Sequence, residues 1–208
     1  MFHRLKTFYD SCKDNDQQLD IFSVNQLLTM LESSCVQVLH CFESGNKKEL
    51  HNEISQYLKQ LKPLNQSIKT LIIPILHDSH FNGYIVSLET SSKAVIYVDS
   101  IILNASEGSD FSKQIKDIVL DHDNVSHQTL YTEQMQLDTN SCGIWLVAGM
   151  ISHVLEKSLP RDRDEAFNLV SQLISVGFKC LNESRTNAVG GNVNLITFEC
   201  LTLIMSLI

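Results

Sequence analysis

Apolar positions recur three and four residues apart along VNQLLTMLESSCVQVLHCF, Val24 to Phe42. That is the period of one buried helical face, and Ser23 stands where an N-cap would. KKELHNEISQYLKQL, Lys47 to Leu61, repeats the pattern after a break at Ser44 to Asn46, so the first seventy residues read as helical. The texture then becomes β-branched and short. SIKTLIIPIL (Ser67 to Leu76), FNGYIVSL (Phe81 to Leu88) and KAVIYVDS (Lys93 to Ser100) read as strands. The last two form a hairpin about Glu89 to Ser92. A helix follows at Ser109 to His122, opened by Ser109 or Asp110, and SHQTLYTE, Ser126 to Glu133, is a fourth strand candidate. CGIWLVAGMISHVLEK (Cys142 to Lys157) and Asp162 to Phe178 complete the set as helices. Helices, then a sheet, then helices make an α+β chain, with a small mixed β-sheet packed between helices. The expected organisation is one domain, 1–208, with a helical N-terminal part (1–66) and a core (67–208).

Composition narrows the function. The chain has 208 residues, 43% of them apolar, which suffices for one core. Its net charge is −8, and the 16 Lys and Arg residues are dispersed. Nucleic acid is therefore excluded as a partner, because neutralising phosphates takes concentrated positive charge. The six cysteines form no CxxC pair, which argues against a zinc site, a redox dithiol or a disulfide framework. A reducing compartment with free thiols follows. The most apolar run, Leu195 to Ile208, is fourteen residues long and contains Glu199. A membrane span needs about 20 apolar residues, so this run is expected to be a core element closing the domain.

Chemistry concentrates at QLDTNSCGIW, Gln136 to Trp145, where a polar run stops at one cysteine and a wholly apolar run begins. Asn140 or Ser141 can cap the helix that starts there. A thiol in the first turn meets unpaired backbone N–H groups and the positive end of the helix dipole, which favour thiolate. Gly143 lets a carbonyl approach the backbone closely. On this stretch alone, Cys142 is either one more buried thiol or a nucleophile. A nucleophile needs a base and an orienter. His77 and His80 lie in HDSH, between two strands, and Asp99 closes the strand YVDSI. His80 and Asp99 stand at the open ends of the hairpin, side by side in an antiparallel pair. Gln136, in the loop before Cys142, can donate to a developing oxyanion together with the Cys142 N–H.

These residues resemble the ubiquitin-like-protein proteases of clan CE, the sentrin/SUMO protease type, over about Gln18 to Leu155. In that family a proline precedes the catalytic histidine by six residues, as Pro74 precedes His80, which selects His80 over His77. The histidine strand leads to a strand ending in Asp-Ser, as at Asp99. A glutamine stands six before the cysteine, as Gln136 does, and a glycine and an apolar helix follow it. The resemblance implies a papain-like cysteine protease core in the circularly permuted order His, Asp, Gln, Cys. It implies Cys142 as nucleophile, His80 as base, Asp99 as orienter and Gln136 as oxyanion donor, with no metal or cofactor. The partner it implies is ubiquitin or a ubiquitin-like modifier, bound by a monomer and cut after its Gly-Gly tail.

Three positions depart from the family. The tryptophan that covers the tail after the histidine is Phe81, which is then expected to lie over the tail. A second tunnel tryptophan is replaced by Gln18, and the aspartate before the cysteine by Ser141. With lysine outnumbering arginine twelve to four and Asn, Ile and Ser plentiful, these departures point towards a deubiquitinase, of the kind bacteria inject into host cells as effectors. The alternatives are a deSUMOylase of the same mechanism and a clan CE acetyltransferase using acetyl-CoA and inositol hexakisphosphate. Dispersed basic residues speak against polyphosphate binding.

Overall fold

The computed structural model describes residues 6–7, 9–12, 17–61, 67–89, 93–101, 105–119 and 125–187. The expected closing element at Leu195–Ile208 lies outside them, as does most of the Glu89–Ser92 turn. Six strands form one mixed sheet: β1 (Val36–Val38), β2 (Phe42–Glu43), β3 (Thr70–His77), β4 (His80–Ser87), β5 (Ala94–Val98) and β6 (Ser126–Thr129). The order is β1-β3-β4-β5-β6, with β2 also paired to β3. The two pairs that include β4 are antiparallel; the others are parallel. The helices are α1 (Ile21–Thr29), α2 (Lys47–Leu61), α3 (Ala105–Val119), α4 (Cys142–Val154) and α5 (Arg163–Asn187). A short helical stretch at 9–12 precedes them, and Tyr9 donates its hydroxyl to the Phe167 carbonyl of α5.

Alternation along the strands gives the sheet two buried faces. Leu71, Ile73 and Ile75 of β3, with Tyr84 and Val86 of β4, join Leu50, Ile54 and Leu58 of α2 and Phe111 and Ile115 of α3. Ile72, Phe81 and Ile85, with Ile96 and Val98 of β5, face the other way into α1, α4 and α5. α4 is the central element of that second layer. It is buried on nearly all sides, from Cys142 to Ser152, which explains its unbroken apolar run.

The expected helix over Val24 to Phe42 is a correction. The helix runs only from Ile21 to Thr29, and two strands follow at 36–38 and 42–43. The N-terminal part is therefore not wholly helical, since it supplies the β1/β2 edge of the sheet. Its helix is capped by Asp20, whose carboxylate accepts from the Ser23 N–H at 2.7 Å, so Ser23 lies inside the helix. Pro74 accounts for the interruption between β1 and β2. β1 pairs with residues 70–72 and β2 with 75–76, leaving 73–74 unpaired on that side. Proline has no N–H to offer a ladder, so the edge chain bulges out at residues 39–41 opposite it. Smaller differences are extensions or trims. α3 begins at Ala105, ahead of Ser109 and Asp110, and α4 ends at Val154, while α5 runs on to Asn187.

Candidate active site

β3 and β4 are joined by a two-residue turn, Asp78-Ser79, with φ of 48° and 63°. Two consecutive positive φ values match the twist of a tight hairpin, and aspartate tolerates that region better than most side chains. The turn delivers His80 to the first position of β4. Across the hairpin, β5 ends at Val98 opposite Gly83, so Asp99 emerges beside the histidine. His80 Nε2 lies 2.7 Å from Asp99 Oδ1. The carboxylate is itself held. Tyr97 donates its hydroxyl to Oδ2 at 2.7 Å, and the Ile101 N–H donates to Oδ1 at 2.9 Å.

Nε2 faces Asp99, which leaves Nδ1 for a second partner, and the Cys142 sulfur is near enough to the ring to favour its charged form. Burial disfavours the His80 imidazolium. The hydrogen bond to Asp99 and the nearness of Cys142, with the charges of both, outweigh that and hold the group up at about 9. Carboxylate, imidazole and sulfur thus stand together at the first residue of a buried helix. Two other buried thiols differ. Burial pushes Cys12 up to about 11 and Cys41 up to about 12, so both stay protonated at neutral pH.

The loop before Cys142 is organised by Asp138, a residue the sequence reading did not single out. Its Oδ1 accepts from the N–H groups of Asn140 (2.8 Å) and Ser141 (2.7 Å), and its Oδ2 accepts from the Ser141 hydroxyl (2.8 Å). Ser141 occupies the N-cap position of α4 but makes no side-chain cap bond. Asp138 instead holds the turn that leads into the helix, through the N–H groups of Asn140 and Ser141. Burial alone would raise its carboxyl, but these bonds and the nearby Arg163 hold it below the usual carboxylate range. Gln136 is buried at 2% exposure. Its amide donates to the Asp138 carbonyl (2.7 Å) and its oxygen accepts from the Ser100 hydroxyl (2.8 Å). These bonds tie the loop before Cys142 to the Asp99 strand end.

Phe81 is a correction. It is 1% exposed and belongs to the core between sheet and α4. A Cβ at Gly143 would stand 3.2 Å from its ring and 3.1 Å from Leu19 Cβ. The residue directly after His80 points inward by strand alternation, so Phe81 backs α4 instead of offering a face to a substrate tail. Gly143 accordingly serves packing, by letting Leu19 and Phe81 close on α4. Leu19 brings its neighbour Gln18 to the sulfur. Gln18 Nε2 lies 3.2 Å from Cys142 Sγ and 2.7 Å from the Ser79 carbonyl. His77, by contrast, is engaged elsewhere, its Nδ1 2.8 Å from the Ser44 carbonyl. A cleft of about 610 Å³ lies beyond the loop, lined among others by Met135, Leu137, Asp138 and Arg161. It includes neither Cys142 nor His80, so it is not the reaction centre. Among the described residues no group of His, Cys, Asp and Glu gathers as a metal site, and no helix is long and apolar enough to cross a membrane.

No protein-family model and no curated protein sequence matches the chain. Solved structures do. The C-terminal Ulp1 protease domain in complex with Smt3, the yeast orthologue of SUMO, superposes with a TM-score of 0.61 at 13% identity, covering 81% of this chain and 79% of that one. The chain has the Ulp1 protease fold. Two further structures share this Ulp1 fold. The catalytic domain of the Ulp1-like SUMO protease of Chaetomium thermophilum gives a TM-score of 0.55 at 13% identity, over 76% and 72% of the two chains. The ASFV protease gives 0.57 at 14% identity, over 76% and 67%.

Proposed function

We propose that the protein is a cysteine isopeptidase that cleaves ubiquitin or a ubiquitin-like modifier after its C-terminal Gly-Gly. The observation that carries the reading is the Asp99–His80 pair, with Cys142 close enough at the first residue of a buried helix to favour the imidazolium, on a Ulp1 fold. The Cys142 sulfur attacks the glycine carbonyl, forming an S–C bond while the C=O electron pair moves to oxygen. As that pair returns, the C–N bond breaks, and His80 gives its proton to the departing lysine amine. Water, deprotonated by His80, then displaces the sulfur from the thioester. Asp99 fixes the ring by holding Nε2 and offsets the imidazolium charge. The Cys142 N–H, in the first turn of α4, lacks an intrahelical partner and is available to the oxyanion, and Gln136, six residues earlier in the chain, is the second donor the family resemblance implies.

Ubiquitin is the favoured modifier, because neither position that carries a tunnel tryptophan in SUMO-type members carries one here: they are Gln18 and Phe81. Action in a reducing compartment, including a host cytoplasm reached as an effector, belongs to the same proposal. The test is covalent capture by ubiquitin and SUMO bearing a C-terminal electrophile. An adduct with the ubiquitin probe, absent in Cys142→Ala, is the expected result. An adduct with SUMO alone would keep the chemistry and reverse the modifier. No adduct with either, together with acetyl-CoA turnover, would replace the protease by the transferase.

A further inference from the structure

We propose that Gln18 is a catalytic residue: its side-chain amide donates to the reacting centre at Cys142 and receives the oxyanion when the carbonyl is attacked. This rests on the protease reading above. The orientation of the amide is determined by its partners. The Ser79 carbonyl, 2.7 Å away, can only accept, so the group facing it must be Nε2. The same nitrogen has a second hydrogen, and the Cys142 sulfur lies 3.2 Å from it. That hydrogen therefore points at the atom to which the attacked carbonyl carbon will be bonded, two bonds from the developing O⁻.

The backbone around Gln18 is anchored on its C-terminal side. Leu19 is 2% exposed and packs against Gly143, and Asp20 caps α1. The side chain also spans two catalytic elements, since Ser79 immediately precedes His80 and Cys142 opens α4. A donor held in this way need not reorganise as charge develops, which is the condition for strong oxyanion stabilisation. Gln136 is bonded differently. Its oxygen is committed to Ser100 and an amide hydrogen to the Asp138 carbonyl, bonds that shape the loop.

The experiment compares wild type, Gln18→Ala and Gln136→Ala in two reactions. One is hydrolysis of ubiquitin and SUMO carrying a C-terminal fluorogenic amide, which builds an oxyanion. The other is alkylation of Cys142 by iodoacetamide, which displaces iodide and puts no charge on a carbonyl oxygen. Removing an oxyanion donor lowers kcat about 10²- to 10³-fold. Gln18→Ala is expected to lose that much in kcat, with KM changed little and alkylation slowed less than about fivefold. Equal losses in both reactions would overturn the proposal, since the amide would then act only on the sulfur. So would a full loss in Gln136→Ala with Gln18→Ala near wild type. A wild type inert towards both substrates would remove the protease reading and this proposal together. An active wild type with an equally active Gln18→Ala would remove the proposal alone.

Discussion

Replacing Asp99 by Asn changes charge at nearly constant shape, and the structure says what that costs. In the native site the carboxylate lies 2.7 Å from His80 Nε2 and is one of the two groups that hold the imidazolium up at about 9. A group raised in this way stays protonated below its elevated value and loses its proton as the pH rises through it. The acid that protonates the leaving amine is therefore available up to about pH 9. Without the carboxylate, only the sulfur opposes burial, and the imidazole drops towards its ordinary 6.5. At pH 8 the protonated fraction would fall from about nine tenths to as little as about 3%, a loss of up to about 30-fold from protonation alone. The amide also presents N–H where Tyr97 and Ile101 now donate, which misorients the ring. Loss of the corresponding orienter in a serine-protease triad costs about 10⁴-fold in kcat. The assay is kcat/KM for a fluorogenic modifier amide between about pH 6 and about pH 10. Asp99→Asn should be at least about 30-fold slower at pH 8, with its alkaline limb moved down towards neutrality. If the variant keeps the wild-type rate and its limb stays near 9, Asp99 is not the charge partner of His80 and the site has been misread.

Other outcomes follow from the packing. A Cβ at Gly83 would lie 2.5 Å from the Ile73 carbonyl oxygen, a backbone atom of a central strand, so Gly83→Ala must displace β3. The cost is about 3 kcal/mol, or a Tm lower by about 6–12 °C by calorimetry; a drop below about 2 °C would contradict the close approach. Asp138→Ala removes three hydrogen bonds from the loop ahead of Cys142 and should cost about 2 kcal/mol in urea unfolding at pH 7. Because that carboxyl is held low, the contribution is present at neutral pH and vanishes as the pH falls below the usual carboxylate range, so variant and wild type should converge in acid. Mass spectrometry after brief alkylation at pH 7.5 should find Cys142 modified while Cys12 and Cys41 are not. Labelling of either at a comparable rate would contradict their burial and raised values.

The parts of the fold legible in the sequence are those long enough to show a period. Lys47–Leu61 spans four helical turns with a clean apolar face, and β3, β4 and β5 carry β-branched residues between recognisable breaks. β1 and β2 have three and two residues, too few to display alternation, and their apolar side chains happen to continue the spacing of the preceding helix. Asp99, His80 and Cys142 could be picked out as candidates because each stands at the end of an element, where polar residues interrupt apolar runs. Asp138 was not singled out because an aspartate that ties a turn through Asn140 and Ser141, ahead of the helix, leaves no cap pattern in the sequence. Gln18 was legible only as a departure from the family's tryptophan: a lone glutamine has no signature of its own, and its nearness to the sulfur depends on Gly143 leaving room for Leu19.

The sulfur of Cys142 meets a side chain 124 positions earlier in the chain, and His80 lies between the two in sequence. No local segment can bring these groups together. On a ribosome, synthesis has to reach α4 before the site can be complete, so a chain ending short of it carries no active protease whatever its early elements do. Closing so long a loop is also entropically costly and tends to come late in folding. Competence for covalent capture at this one thiol therefore reports that the global search for the native topology is over. A pulse of electrophilic modifier during refolding would time the final step of folding directly.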